Sequence, residues 1–322
     1  MERKLILITG ATGFVGRHLC PELKKAGFKL RAVYIEPKPP IGWPEEMEWI
    51  KLDNIGPAAD WNLALQGGVT HVAHLAAIAH RIAAKDQVAD SIYDEVNHLG
   101  TAQLAKAVAQ MPTVRRFFFM SSIGAVASLS DEVVNERTPC HPDTAYGRSK
   151  LSAEKAIQEI FSESQVDWCI FRPPLLYGPG NPGNMERLLK LLHLPLPLPL
   201  GSIRNRRTFL YVGNLVDAIC VALEHPAAAR QVFCVSDGEE LSTTGLLRGL
   251  GRASSRSVRI FPFPMSGLRV LGAFGEWLNT LQATRLACTV RLWKSSVVPF
   301  RSTTRFFGKP VVGNRRSVLK KG

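Results

Sequence analysis

The sequence predicts an α/β chain built on a doubly wound parallel sheet with a smaller lobe attached. Three observations carry this expectation. A short apolar run, Leu5-Ile6-Leu7-Ile8, leads directly into Gly10-Ala-Thr-Gly13-Phe-Val-Gly16, and a strand, a glycine turn and a helix make a phosphate-binding βα unit. Apolar runs suited to strands buried on both faces then alternate with helical stretches as far as Phe171, the pattern of a parallel sheet covered on both sides. Ser121-Ser122 and Tyr146-Gly-Arg-Ser-Lys150 follow where the later strands end, and ligands of such sheets gather at the carboxyl ends of the strands.

Lys4 to Thr9 reads as the first strand, and Phe14, Val15, Leu19 and Leu23 lie at helical spacing behind it. Gly10 suits the tight turn, Gly13 a close approach of backbone to a pyrophosphate, and Gly16 close packing of helix on strand, with amides at the helix start facing the anion. The spacing is G-x-x-G-x-x-G rather than G-x-G-x-x-G. Pro21 falls inside this helix and is expected to kink it or end its first half. Lys29 to Ile35 is the second strand, and it ends in Tyr34-Ile35-Glu36-Pro37. Glu36, 20 residues after Gly16, is placed to accept ribose hydroxyls, no Arg occupies the turn, and Lys38 is a weak substitute for one, so the segment favours NAD over NADP. Glu36 reads equally well as a solvated turn residue.

Val69 to Leu75 is a strand entering His74-Leu75-Ala76-Ala77; Val88 to Ala109 is helical and carries Asn97; Arg116 to Ser121 is a strand with Phe117-Phe118-Phe119 at its centre. Ala145 to Phe161 is a helix, and Asp167 to Phe171 is a strand stopped by Pro173-Pro174. Tyr177 to Gly183 is a glycine- and proline-rich loop, and Leu194-Pro-Leu-Pro-Leu-Pro-Leu200 must be extended. Leu215 to Leu223 then reads as a helix and Gln231 to Val235 as a strand. The expected organisation is a dinucleotide-binding domain over residues 1–172, to which the chain returns at 208–237, and a substrate lobe formed by 173–207 and 238–322.

On a helix, Tyr146 and Lys150 are one turn apart on one face. A phenol ionises near pH ~10, and an ammonium beside it, with a positive nicotinamide ring, favours the phenolate. Tyr146 can then take the proton of a substrate hydroxyl or return it, while Ser122 holds the substrate oxygen and Lys150 also holds the nicotinamide ribose. The chemistry implied is hydride transfer at a hydroxyl or ketone.

Composition excludes several classes. The chain has 322 residues with 46% hydrophobic content, enough for a large core. The short apolar run after Met1-Glu-Arg-Lys4 is not expected to be a secretory signal, and no run of 18 apolar residues is expected to span a membrane. The six cysteines (Cys20, Cys140, Cys169, Cys220, Cys234, Cys288) lack C-x-x-C spacing and read as reduced thiols of a cytoplasmic protein. His71 and His74 fall on opposite faces of a strand, so no metal site is expected there. The net charge of +13 is local: residues 1–276 carry +3, and the 46 residues after Glu276 hold ten Lys and Arg and no acid. This tail reads as a contact to an anionic membrane or nucleic acid, as a divergent lobe for an anionic substrate, or as sequence altered from an ancestral reading frame. It lacks the aromatic-and-basic pattern of a nucleic-acid module, and no nucleic-acid partner is expected.

Gly10–Gly16, Asp53-Asn54, His74–Ala77, Asn97, Ser121-Ser122, Tyr146/Lys150 and Arg172-Pro-Pro-Leu-Leu-Tyr-Gly-Pro-Gly180 together resemble the extended short-chain dehydrogenases/reductases, most of all the UDP-glucose 4-epimerase branch of the NAD-dependent epimerase/dehydratases. The likeness runs over residues 4 to 250 and implies a Rossmann-type fold. It implies that Gly10, Thr12, Gly13, Phe14, Val15 and Gly16 hold the pyrophosphate, that Asp53 and Asn54 hold the adenine, and that Glu36, Leu75, Ala76, Ala77, Asn97 and Pro173 line the cofactor, with Tyr146 and Lys150. Ser122, Tyr146 and Lys150 match the catalytic triad, and Ser122, Asn184 and Arg207 match positions that touch a UDP-linked substrate. Leu196–Gly201, Asn205–Arg207, Asn214–Asp217 and Val235–Thr244 are similar to enzymes of bacterial lipopolysaccharide O-antigen clusters. Some of those are UDP-glucose 4-epimerases, and some reduce UDP-4-keto-6-deoxy-N-acetylhexosamines to UDP-N-acetylquinovosamine. The likeness also implies a homodimer through the helices Val88–Ala109 and Ala145–Phe161. Two departures stand out: Tyr34 or Ile35 replaces the aspartate of the second strand, and Phe306–Pro310 keeps neither the acids nor the Trp of the final segment. A dinucleotide sensor without catalysis, or reduction of a non-sugar ketone, are the other readings.

Overall fold

Side-chain alternation along the first strand sets the architecture. In β1 (Leu5–Thr9) the side chains of Ile6 and Ile8 enter one apolar layer and that of Leu7 enters the opposite one, all fully buried. β2 (Lys29–Tyr34), β3 (Glu48–Lys51), β4 (Val69–His74) and β5 (Arg116–Met120) join β1 in one sheet. After the short β6 (Val133–Val134), β7 (Asp167–Arg172) extends that sheet. The computed structural model describes residues 4–38, 40–43, 46–79, 88–127, 133–181, 197–202, 205–238, 240–253, 259–264 and 301–302.

With β8 (Leu175–Tyr177), β9 (Arg207–Tyr211) and β10 (Gln231–Cys234) the strand set of the site is complete, and β10 closes the seven-stranded parallel sheet in the order β10-β7-β5-β4-β1-β2-β3. The chain thus returns to the main sheet at β10. β9 does not join it; it pairs in parallel with β8 and antiparallel with β11 (Glu240–Leu241). From the basic tail, β12 (Arg301–Ser302) pairs in parallel with β6.

Helices cover both faces. α1 (Phe14–Lys25) buries Leu19 and Leu23 on the Ile6/Ile8 face. α2 (Asn62–Leu65), α3 (Val88–Tyr93), α4 (Gly100–Ala109) and α5 (Ala145–Ile160) follow. Leu104 and Val108 of α4 and Ala153 and Ile157 of α5 pack on the Leu7 face. α6 (Val212–Glu224) lies with α1 and contributes Leu215, Val216 and Ile219. α7 (Thr243–Ala253) belongs to a separate small cluster with Leu198 and Phe209. Leu198 is extended, as its proline context requires: its amide donates to the carbonyl of Arg259, and its carbonyl accepts from the amide of Phe261.

One alternative expected from proline, and the single helix expected from periodicity, need correction. Pro21 does not end α1, which runs on to Lys25. Proline in a helix interior costs about 3 kcal/mol relative to alanine, whereas burial of one leucine contributes about 1.5–3 kcal/mol; α1 buries Leu19, Cys20 and Leu23 while Pro21 itself faces solvent. The expected single helix 88–109 is interrupted by a π-helical stretch, Asp94–Leu99, with Asn97 buried inside it. The widened turn inserts an extra residue, and Gly100 follows it where a Cβ would lie 2.2 Å from the carbonyl oxygen of Ile55.

Because Pro21 is exposed and withholds one helical hydrogen bond, Pro21→Ala is expected to raise the unfolding free energy by about 1–3 kcal/mol. Urea denaturation checks this; unchanged or lower stability would contradict the account of α1.

Candidate active site

β1 and β4 are neighbours, and the elements that follow them pass to opposite faces of the sheet. A crevice therefore opens at their carboxyl ends. Gly10 follows β1 with φ 72°, and a Cβ there would lie 2.8 Å from the amide nitrogen of Ala76, just after β4. A Cβ on Gly16 would lie 2.4 Å from the carbonyl oxygens of Gly10 and Ala11. The α1 N-cap, Gly13, provides no side-chain cap, and the first turn, including Phe14 and Val15, has no acidic residue. Uncapped amides in a cradle that any side chain would fill suit the pyrophosphate of a dinucleotide. The Thr12 carbonyl accepts from Arg17 Nε at 2.8 Å.

The expected adenosine residues lie at the neighbouring rim. Glu36 is exposed and accepts from the amide of Ile35 at 3.2 Å. Asp53 is exposed, and Asn54 Oδ1 accepts from the amide of Gly56 at 3.0 Å.

A chain of hydrogen bonds links this crevice to α5. Thr9 Oγ1 contacts His74 Nδ1 at 2.7 Å, His74 Nε2 contacts Thr101 Oγ1 at 2.8 Å, and Thr101 donates to the carbonyl of Asn97 at 2.7 Å. The single Thr101 proton is used on Asn97, so Thr101 accepts from His74 Nε2–H and His74 Nδ1 accepts from Thr9. Burial and then the charge of Lys150 hold His74 neutral, its pKa lowered to about 3. Thr9 Oγ1 also accepts from the amide of Ala76 at 3.1 Å, and Leu75 donates its amide to the Thr9 carbonyl. These bonds fix the backbone of Leu75 and Ala76, which Ala77 follows. Asn97 extends the chain: its side chain takes the amide and donates to the carbonyl of Ile78, and it donates to Ser149 Oγ at 3.2 Å.

α5 begins at Thr144, whose hydroxyl accepts from the amide of Gly147 at 3.0 Å. Gly147 is the contact point: a Cβ there would lie 2.2 Å from the carbonyl oxygen of Gly124. This approach sets Tyr146 against Ser122, whose hydroxyl hydrogen-bonds the phenol and accepts from the amide of Gly124 at 3.1 Å. Tyr146 is half-buried as a residue, but its hydroxyl end is enclosed, and burial pushes the phenol up to about 12. Its bond to Ser122 opposes that rise, and Tyr93, whose ring lies edge-on 6.0 Å away, adds to it.

Lys150 is fully enclosed, donates to the Met120 carbonyl at 2.8 Å and stands 4.6 Å from the centre of the Phe119 ring. The expectation that Lys150 lowers the Tyr146 pKa is therefore not met in the protein alone. The amine is turned to Met120, and desolvation governs the phenol. Burial also lowers Lys150 itself, from 10.5 to about 7, against the opposing charge of Glu154.

Of the other expected residues, Pro173 is buried at the end of β7 and accepts from the amide of Ile123 at 3.0 Å. Arg207 opens β9, half-buried, with its pKa lowered by burial. Asn184 lies outside the described residues. Sequence reasoning missed Thr9, Thr101, Thr144, Gly147 and Glu154. Only Glu154 carried a signal: a carboxylate four residues after Lys150 on the apolar face of α5. Among the described residues no cluster of His, Cys, Asp or Glu is arranged to hold a metal, and no helix is long and apolar enough to cross a membrane.

Residues 6–235 match the model of the NAD dependent epimerase/dehydratase family. The chain is similar to UDP-glucose 4-epimerase of Vibrio cholerae, 34% identical over 282 residues, 85% of this chain and 83% of that one. It is 29% identical over 270 residues to the N-acetyl-alpha-D-glucosaminyl-diphospho-ditrans,octacis-undecaprenol 4-epimerase of Escherichia coli O157:H7, covering 82% and 77% of the two chains. Among solved structures it is similar to UDP-glucuronic acid 4-epimerase from Bacillus cereus in complex with UDP-glucuronic acid and NAD. That match has TM-score 0.67 and 25% identity, and it covers 80% of this chain and 86% of that one.

Two outcomes follow from the geometry. Gly147→Ala is expected to destabilise the fold by about 2 kcal/mol or more, because neither the helix backbone nor the Gly124 carbonyl can yield freely; thermal unfolding checks it, and a neutral effect would contradict the contact. With its phenol at about 12, Tyr146 should show no more than about a tenth of its phenolate absorbance at 295 nm below pH 11. The difference titration between the parent and Tyr146→Phe tests this, and a phenolate signal near pH 10 would contradict it.

Proposed function

Because the chain belongs to the NAD dependent epimerase/dehydratase family, we propose that it is an NAD-using UDP-hexose 4-epimerase with Tyr146 as its acid and base. The observation that carries this reading is the meeting of Tyr146 and Ser122 beside a buried Lys150, on the rim joined by Asn97 and Ala76 to the Gly10 turn. NAD, when bound, supplies the hydride acceptor and donor. Gly10, Thr12, Gly13, Phe14, Val15 and Gly16 would hold its pyrophosphate, Glu36, Asp53 and Asn54 its adenosine end, and Leu75, Ala76, Ala77, Asn97 and Pro173 the rest of its length. The absence of an Arg after β2 and the NAD named with the Bacillus cereus structure favour NAD over NADP.

Ser122 orients the C4 oxygen of the sugar, Tyr146 takes its proton as C4 becomes a ketone, and the same phenol returns the proton when the sugar presents its other face. A neutral phenol at about 12 is a poor base in the protein alone, so the positive nicotinamide ring of bound NAD would be what makes the proton transferable. Arg207, at the start of β9, would grip the UDP diphosphate with its guanidinium, and Asn184 is assigned to the same group. The protein is proposed to act as a cytoplasmic homodimer in lipopolysaccharide O-antigen synthesis.

The same residues serve a UDP-4-keto sugar reductase, and one assay separates the two. Purified protein with UDP-glucose or UDP-N-acetylglucosamine is expected to yield the C4 epimer without net change in NADH absorbance. Tyr146→Phe is expected to lower kcat by about 10²-fold or more while still binding NAD. Stoichiometric oxidation of NADPH or NADH with a UDP-4-keto sugar, and no epimerisation, would replace the reading with the reductase. No turnover of any UDP-sugar would remove both.

A further inference from the structure

The dinucleotide crevice occupies the carboxyl ends of the strands. At the opposite, amino ends of β1, β2, β4 and β5 lies a second cavity, of about 1100 Å³, which no step of the proposed reaction uses. Sites for small molecules fill roughly 300–1,000 Å³, so it has room for one. Five cations line it: Lys4, Lys24, Lys29, Arg31 and Arg115.

We propose that this cavity binds a phosphate-bearing small molecule, held between Lys29 and Arg31 of β2 and Arg115 before β5. The site lies outside the catalytic reading and does not rest on it.

Ion pairing leaves the cavity positive. Lys4 is paired with Glu224, Lys24 with Glu46, and Arg31 Nε with Glu48 at 2.8 Å. Lys29 and Arg115 are exposed and pair with no carboxylate among the described residues. His71 also lines the cavity; burial lowers it to about 4, so it adds no charge at neutral pH. Two cations without a counter-charge suit a ligand carrying two or more negative charges. Arg and Lys donate hydrogen bonds and never accept them, so that ligand must present acceptor oxygens. A diphosphate meets both conditions.

Arg31 gives the site its fixed point. It is 7% exposed. Nη1 donates to the carbonyls of Ala64, at 3.0 Å, and Gln66, while Nε donates to Glu48. These bonds hold the guanidinium plane. Nη2 is the nitrogen left without an acceptor among the described residues, and it is not sealed inside the protein. Gly67 keeps it reachable. Gly67 and Gly68 follow α2 with φ 74° and 85°, the left-handed region that favours glycine. A Cβ at Gly67 would stand 3.3 Å from Nη2, and the bare glycine leaves that approach open. An unpaired donor on a buried side chain costs free energy, and an anionic oxygen in the cavity would satisfy it.

Strand geometry sets the span. Lys29 and Arg31 are two residues apart on β2 and share one of its faces. In the order β5-β4-β1-β2, Arg115 stands three strand spacings from β2, about 14 Å at the level of the backbone. Long side chains from the two sides close on a ligand the size of a nucleotide or an inorganic diphosphate. Glu46, Glu48 and Glu224 interrupt the basic lining, which counts against a nucleic-acid backbone, whose sites carry their cations clustered on one face.

Calorimetric titration with inorganic pyrophosphate, at saturating NAD so that the Gly10–Gly16 turn is filled, tests the site. One pyrophosphate per chain is expected. Its affinity is expected to fall about tenfold or more in Lys29→Glu/Arg115→Glu. In Arg248→Glu/Arg252→Glu, which reverses two exposed charges of α7, it is expected to stay at the parent value. ADP separates two sources of the same chemistry. ADP binding more tightly than pyrophosphate names a nucleotide as the ligand, and ADP binding no more tightly names the bare diphosphate; either result supports the site. No binding of either probe up to about 10 mM, an affinity unchanged in Lys29→Glu/Arg115→Glu, or an equal loss in both double variants overturns the proposal. Should the Lys29/Arg115 variant fail to fold, amide hydrogen exchange in the parent supplies the second measurement. Pyrophosphate is expected to slow exchange at Lys29–Arg31 and Gly67–His71; slowing confined to the Gly10–Gly16 turn, or none at all, overturns the proposal.

Discussion

The structure depends on how closely the start of α5 approaches the end of β5. Gly147 leaves no room for a side chain against the Gly124 carbonyl, and Thr144 caps the helix at that point. The helix therefore starts where its first turn faces Ser122 and its next two turns face Met120 and Ser121. Burying an amine and a carboxylate is costly in isolation, and each is tolerated here because it is hydrogen-bonded and the carboxylate is clasped by Arg172. The reward of that arrangement is geometric. A lysine with four rotatable bonds and a tyrosine at a partly open rim are held by the same strand end.

Sheet topology supplies the second constraint. The order β10-β7-β5-β4-β1-β2-β3 puts β1 beside β4 with their connections on opposite faces, so the glycine turn and the Leu75–Ala77 segment share one crevice. The two motifs, far apart in sequence, are joined by a continuous path. Gly10 touches Ala76, Ile78 is bound by Asn97, and Asn97 reaches Ser149, next to Lys150. The π-helical stretch that buries Asn97 is part of this path, consistent with the tendency of such stretches to occur at functional sites. His74 belongs to it as a neutral relay between two threonines.

Much of this was legible in the sequence because it is written in local pattern. The strands around Leu5–Thr9, Val69–His74 and Arg116–Met120 are apolar runs of the length that a two-sided sheet demands, and the glycine spacing names the turn between strand and helix. What was not legible depends on contacts between distant segments. Pro21 sits in a continuous helix because tertiary burial of its neighbours outweighs its local cost. The phenol of Tyr146 is governed by enclosure, which spacing alone does not reveal; a one-turn offset puts Lys150 on the same face without turning its amine toward the phenol. Glu154 and Arg172 acquire meaning only when β5, β7 and α5 converge. β9 builds a small second sheet with β8 and β11, a pairing that no local pattern announced, and the chain joins the main sheet at β10.

The central claim is that one crevice brings a dinucleotide and a sugar hydroxyl to a single phenol. A crystal structure of the protein with NAD and a UDP-hexose tests it most directly. The account predicts the pyrophosphate over the Gly10–Gly16 turn and the Tyr146 hydroxyl within about 3.2 Å of the sugar C4 oxygen, with Ser122 on the same oxygen. A dinucleotide seated elsewhere, or a sugar whose C4 faces away from Tyr146, would contradict it.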